Sequence, residues 1–436
     1  MEGRKMPRIR GIHRRELSFL ISFILLFSAP AWAQSGGITA AIDSISGNYR
    51  SVSQKIWEWR EPGQEEFKGS ALLMEELKKL GYKVTGDLKV PADLVKGGVA
   101  KTAFRAELKG KAPGSTITIM LEYDALSNGH ACGHNLIATS GLLAAAGLAK
   151  VMADTPGRVL VIGTPDEERG SLGGGKVSLL EGGHFEGSDI VLITHPSDHW
   201  SLDQRLLASK RVSFTFKGKS AHAAASPHKG VNALRAVIST INNIDTLREH
   251  LRQDVRIHAI ITKGGDRVNV VPEVAQMEVQ VRALDTGTME DAFRKAVICA
   301  KAAEMVTGAK LEYKEPRVFL TAPIVVPVYL DILRKQALAQ GIPESELKVG
   351  EEHGSSDLGN VGYAYPTLNL SFKAAPEGIS LHSDAMREAA VTDEAWKATV
   401  VAGKVVALTA YDLLNNPDKV KDIQQKFKEL KEKENK

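Results

Sequence analysis

Residues 136–149 carry no charge, and their only polar side chains are Thr139 and Ser140; the rest are leucine, isoleucine, alanine and glycine. A helix apolar on every side has to be covered on every side. This segment is therefore expected to be a buried helix packed on a sheet. Its neighbours supply the sheet. Thr116–Glu122, Val159–Gly163 and Asp189–Thr194 are short runs rich in branched apolar residues, which read as buried strands. Strand, helix, strand, helix, strand is the pattern of an α/β layer fold. Two helices are expected before it, over Ile42–Trp59 and Glu65–Leu80.

The texture changes near residue 207. Val212–Lys217 alternates as a half-exposed strand, and Val231–Leu247 has helical amphipathic spacing. Arg256–Thr262 and Val274–Val281 are further strands, and a helix is expected from about Met289 to Val306. Paired strand–helix units of this kind suggest an α+β insert with a four-stranded antiparallel sheet. The α/β pattern resumes after residue 322, with a strand at Thr367–Phe372 and a closing helix near Glu394–Leu414. The expected organisation is a catalytic domain in two pieces, 34–206 and 323–415, interrupted by a lid at 207–322. Residues 416–436 are dense in charge, yet Val420, Ile423, Phe427 and Leu430 keep helical spacing. This tail is expected to be a solvated, lightly docked helix.

Residues 1–33 read as an export signal. Six basic residues precede the uncharged run Leu17–Phe27, and Ala31-Trp32-Ala33 supplies the small residues of a cleavage site. The apolar run is too short to span a bilayer, so no stable membrane anchor is expected and the mature chain should be periplasmic. Arg14-Arg15 also fits a twin-arginine route. The segment holds six basic and two acidic residues, the whole of the chain's +4 net charge. The rest is neutral and offers no electrostatic case for nucleic acid. Two cysteines, Cys132 and Cys299, are too few for a disulfide framework. Cys299 sits in an alanine-rich helical stretch and reads as a buried small hydrophobe.

Cys132 has different company. Cys132 and His134 lie two residues apart at a strand-to-helix junction. Asp124 ends one strand, Glu167-Glu168 follow a second, His195 closes a third, and His382 lies far downstream. Sulfur, nitrogen and oxygen donors at strand ends occupy the place where open α/β sheets put their active sites. A lone histidine is more often a surface or core residue, and adjacent glutamates are more often a solvated patch. Here, however, five candidate ligands, Cys132, His134, one of the two glutamates, His195 and His382, would have to be idle together. Adjacent glutamates on a turn also point different ways, so one can bind a cation while the other remains a base.

Asp124-Ala125-Leu126, Gly129-His130-Ala131-Cys132-Gly133-His134-Asn135 and Gly163-Thr164-Pro165-Asp166-Glu167-Glu168 resemble peptidase family M20. The likeness is to its amidohydrolase branch, which contains aminobenzoyl-glutamate hydrolases, acyl-amino-acid hydrolases and dipeptidases. The insert is similar too, through Gly218–Ala224, Gly264-Gly265, Asn269–Pro272 and Arg282, as is the loop Gly354–Val361. The resemblance implies a zinc-peptidase-like catalytic domain with an inserted lid and dimerisation domain. It implies Cys132, His134, Glu168, His195 and His382 as ligands to two divalent ions, zinc favoured and manganese possible. Glu167 becomes general base and acid. His222 would steady the developing oxyanion, from the lid of a partner subunit, in a homodimer or higher homo-oligomer. Asn269, Arg282 and Gly354 fall at substrate-binding positions, with Arg282 suited to a carboxylate. Asp124 would support the ligands from behind, and Asn135 replaces an aspartate common in the branch. The implied reaction is hydrolysis of the amide in an N-acyl amino acid or dipeptide with a free carboxylate, aminobenzoyl-glutamate-like substrates favoured. A non-catalytic periplasmic binding protein for such conjugates is the alternative, but it would be marked by a lost base or ligand, and none is lost.

Overall fold

The computed structural model describes residues 31–168, 174–352 and 354–434. The expected signal segment therefore lies outside the described residues, except for its last three. Among the described residues, no helix is long and apolar enough to cross a membrane.

The larger of two main sheets has eight strands. In spatial order they are Lys83–Lys89, Val99–Lys109, Arg158–Gly163, Thr116–Leu121, Ile190–Ser197, Thr367–Lys373, Trp200–Ser201 and Leu347–Lys348. The four strands from Arg158–Gly163 to Thr367–Lys373 run parallel. Their carboxyl ends share one edge, with Leu121 opposite Gly163 and His195 opposite Ser371. Thr116–Leu121 is buried at every position, as expected of a parallel strand covered on both faces.

The uncharged segment forms helix His134–Ala149, buried along its length except at the last residue. It packs between the sheet and the helices Ala31–Trp59 and Asp393–Asn415. The glycines permit this close approach: a Cβ at Gly141 would lie 2.1 Å from the Leu121 side chain. The pattern of branched apolar residues does not single out Lys83–Lys89 or Val99–Lys109. Both are rich in lysine, and they form one edge of the sheet as an antiparallel pair with a bulge between Gly86 and Leu88.

The second sheet has four antiparallel strands, ordered Lys310–Tyr313, Ala208–Lys217, Val274–Ala283 and Arg256–Lys263. Helices Ala233–Leu247 and Thr286–Thr307 cover one face, where Phe214, Phe216, Met277 and Val279 meet Ala236, Val237, Phe293 and Ala296. Asn232 and Asp285 cap the two helices by accepting the Arg235 and Thr288 backbone N–H groups. The fourth strand, Lys310–Tyr313, is four alternating residues long, too short to stand out in the sequence. Cys299 is half-buried against this second core.

The charged tail corrects one expectation. It is helix Pro417–Glu434, and it is firmly docked. Val420, Ile423 and Phe427 are buried in the main core. Its polar groups also have specific partners: Gln424 donates to Asp189, Lys431 to the Tyr363 carbonyl, and Glu434 Oε1 accepts the Thr286 N–H at 2.7 Å. Thr286 opens a helix of the inserted unit, so the tail straps that unit to the main core. An apolar stripe of three residues suffices to dock a helix when its charged flanks also find partners.

Candidate metal centre

Gly133 separates Cys132 from His134 and caps the buried helix with φ +70°. A side chain there would be strained by the backbone and would meet the Pro196 ring at 2.7 Å. The turn thus brings Cys132 and His134 against His195, which lies near the carboxyl end of the neighbouring strand Ile190–Ser197. Cys132 Sγ lies 3.5 Å from His195 Nε2. Asp166, next to the glutamate pair, and His382 also hold positive φ, +62° and +66°. Left-handed non-glycine residues on both sides of one site mark a backbone held against its preference. The His382 N–H is fixed by the Ala131 carbonyl at 2.9 Å.

All five candidate ligands come together. His134 Nε2 is 3.7 Å from Glu168 Oε1, and His382 Nε2 is 3.4 Å from the same oxygen. Three overlapping groups result: Cys132, His134 and His195; Cys132, Glu168 and His382; and His134, Glu167 and Glu168. Within each group, the donor atoms lie within 4.8 Å of one another. Ligand atoms about 2.0–2.3 Å from one tetrahedral ion are separated by roughly 3.3–3.8 Å, so these spacings suit divalent cations. A second test concerns polar satisfaction. His134 Nε2 and Glu168 Oε1 are buried with no hydrogen-bond partner, an arrangement that is costly unless a cation fills the space between them. The residues fit the group.

The supports are equally specific. Asp124, itself buried, accepts His134 Nδ1–H at 2.8 Å through Oδ1 and the Glu168 N–H at 2.8 Å through Oδ2. It thereby fixes the imidazole tautomer that leaves Nε2 free to bind a metal. Burial opposes charging His134, but the Asp124 carboxylate overrides it and raises the imidazole's pKa well above the usual range. Burial pushes the Cys132 thiol up, so without a cation it stays protonated. His130 bonds the Ile56 carbonyl at 3.0 Å, and burial lowers its pKa to about 3. It serves the fold as a neutral ring.

Glu167 Oε1 accepts from Ser356 Oγ at 2.6 Å, and Glu167 Oε2 lies 4.0 Å from His134 Nε2. The pair opens on a cavity of about 980 Å³ between the main sheet and the insert, and Gly354 is part of its wall. From the insert, Arg211 and Lys314 line the same cavity. Arg282 does not. It is half-buried on strand Val274–Ala283, and its Nε is buried without a hydrogen-bond partner. His222 and Asn269 are neighbours on the exposed end of the insert, where Ala223 N–H donates to the Asn269 carbonyl at 3.0 Å and His222 pairs with Val270. Neither lines the cavity of its own chain.

Sequence reasoning missed what lies behind the site. Glu122, Lys176 and Asp357 form a buried ion cluster beneath the ligands. The available signal was a lysine in the otherwise uncharged segment 172–180, since a lysine folded inside must meet a buried carboxylate.

Residues 208–304 match the peptidase dimerisation domain of the M20 family. The chain is 30% identical to human Xaa-Arg dipeptidase over 416 residues, covering 89% of this chain and 90% of that one. It is 31% identical to one of the subunits of Escherichia coli p-aminobenzoyl-glutamate hydrolase over 297 residues, 63% of this chain and 59% of the relative. In fold it is similar to a dinuclear metal-binding M20 peptidase of Bacillus subtilis, with TM-score 0.67 and 19% identity over 85% of this chain and 99% of the other. With its motifs in order and the dipeptidase matched nearly end to end, this chain belongs to the M20 peptidase family and is a metal-dependent hydrolase of amide bonds.

Proposed function

We propose that the chain removes a carboxy-terminal amino acid bearing a free carboxylate from a dipeptide or an N-acyl conjugate. The observation that carries this reading is the composition of one cavity: donors for two metal ions and a glutamate on its floor, and Arg211 and Lys314 on its roof. Neither Arg211 nor Lys314 has a side-chain salt bridge or hydrogen bond among the described residues, so a substrate carboxylate can pair with them. The named relatives bracket the leaving group: Xaa-Arg dipeptidase on one side, p-aminobenzoyl-glutamate hydrolase on the other. Unpaired cations on the roof favour the acidic side, an aminobenzoyl-glutamate-like substrate.

Cys132, His134, Glu168, His195 and His382 would hold two divalent ions, which supply Lewis acidity at the scissile carbonyl when bound. The thiolate favours zinc, and the carboxylate and imidazoles also admit manganese. Glu167, oriented by Ser356, takes the proton of the attacking water and returns it to the departing amine. Asp124 keeps His134 in the tautomer that holds the ion.

The working unit proposed is a homodimer. Support comes from the edge strand Arg256–Lys263, which exposes Ile260 and Ile261 beside Val268 and Val270. An unprotected apolar edge of this kind invites a second sheet. In that dimer His222 and Asn269, on the exposed end of the insert, are proposed to serve the partner's cavity. Export is proposed on the basic residues and apolar run of residues 1–33, and cell fractionation would test it.

The functional test is amine release by the metal-loaded protein from dipeptides and acyl-amino acids, including aminobenzoyl-glutamate and its carboxylate-amidated analogue. Free acids should be cleaved and the amidated analogue spared. Glu167→Gln should lose about 10²–10⁴-fold in kcat with metal content unchanged. Equal turnover of amidated and free substrates would reject the carboxylate requirement.

A further inference from the structure

Lys176 has no exposed surface, and its ammonium reaches two carboxylates. Nζ donates to Glu122 Oε1 at 2.9 Å and to Asp357 Oδ1; the Lys176 backbone N–H donates to Asp357 Oδ2 at 2.9 Å. Glu122 and Asp357 are also buried. Taking an ammonium fully out of water costs several kcal/mol, and a methionine could fill the same space. The cluster therefore calls for an explanation beyond packing.

Its ends supply one. Asp357 follows Ser356 directly, and Ser356 holds Glu167. Its carboxylate is also seated closely against Gly174, where a Cβ would lie 2.3 Å from Oδ2. At the other end, Glu122 Oε2 is buried, has no hydrogen-bond partner, and lies 3.4 Å from His134 Nε2, the nitrogen that faces the cation site. Glu122 also lines the cavity. One buried cation thus joins the loop that carries the base's partner to a carboxylate on the ligand side.

We propose that Lys176 is a positioning residue of this hydrolase: by tying Glu122 to Asp357 it fixes Ser356, and through Ser356 the carboxylate of Glu167, relative to the cation site. Counted by formal charge, two carboxylates and one ammonium leave one negative charge beneath the cation site. Without Lys176 two carboxylates would face each other unpaired, and the loop 354–357 would lose its anchor.

This inference rests on Glu167 as the base, and the experiment separates the two. The measurement is a double-mutant cycle between Lys176→Met and Ser356→Ala, read as kcat, KM and metal content by mass spectrometry. In the wild-type background, Lys176→Met should lower kcat by about 30-fold or more while KM changes less than about 3-fold. In the Ser356→Ala background the same change should cost less than about 3-fold, because the link it acts through is already cut. The variant Lys176→Met/Glu122→Gln restores the wild-type net charge and should regain thermal stability and metal content without regaining kcat. Full additivity with Ser356→Ala, or recovery of kcat on charge balancing, would overturn the proposal and leave Lys176 a structural counter-ion. If Lys176→Met does not fold, Asp357→Asn takes its place in the cycle with the same expected and overturning results. Turnover retained by Glu167→Gln would instead reject the base assignment, whatever the cycle gives.

Discussion

Asp124 illustrates how much a single side chain decides here. One oxygen orients a metal-facing imidazole and the other holds the backbone of the next ligand loop. Asn at this position keeps the shape but turns one acceptor into a donor, opposite either His134 Nδ1–H or the Glu168 N–H. Asp124→Asn should therefore weaken metal binding by about 10–100-fold, measured by competitive titration with a chromophoric chelator, with the fold retained. Unchanged affinity would show that His134 needs no such partner. The residue scale is also where the sequence was most and least legible. Donors such as Cys132 and His134 stand out because their spacing is chemical. Lys176 stands out only as a lone charge in an apolar segment, and nothing local says that it shares a buried bond with Glu122 from a distant one.

At the scale of elements, the terminal helix is the instructive case. Its charge density suggests a solvated surface, but Val420, Ile423 and Phe427 form a stripe that enters the core, and Glu434 reaches the first turn of a helix in the insert. Phe427→Ala should cost about 3 kcal/mol of local stability. Hydrogen exchange should quicken both within Pro417–Glu434 and at the start of Thr286–Thr307. Faster exchange in the first segment alone would dissociate the strap from the insert. The helix at His134–Ala149 behaved in the opposite way. Its uniform apolarity required burial on every side, and the structure buries it.

For the whole molecule, the open question is how His222 is linked to the chemistry. It stands on the exposed end of the insert and does not line its own chain's cavity. If it serves the partner, Glu167→Gln and His222→Ala chains, each inactive alone, should recover activity when mixed and re-formed as dimers. Each mixed dimer would hold one intact site, built from the Glu167 of one chain and the His222 of the other. With random exchange, about a quarter of wild-type activity is expected. No recovery, with mixed dimers verified by mass spectrometry, would place the function of His222 within its own chain or nowhere in catalysis.

The chain's sequence by itself determined the α/β layer class, the interruption by an α+β insert, and the candidate donors at or after strand ends. These follow from periodicity and from residue chemistry, which are local properties. The tertiary structure alone decided that Lys176 meets Glu122 and Asp357, that Arg211 and Lys314 rather than Arg282 line the cavity, and that the charged tail is a strap. Each of these depends on which distant segments share a volume. A buried charge is stable only where a remote partner compensates it, and that partner is fixed by the packing of the whole fold.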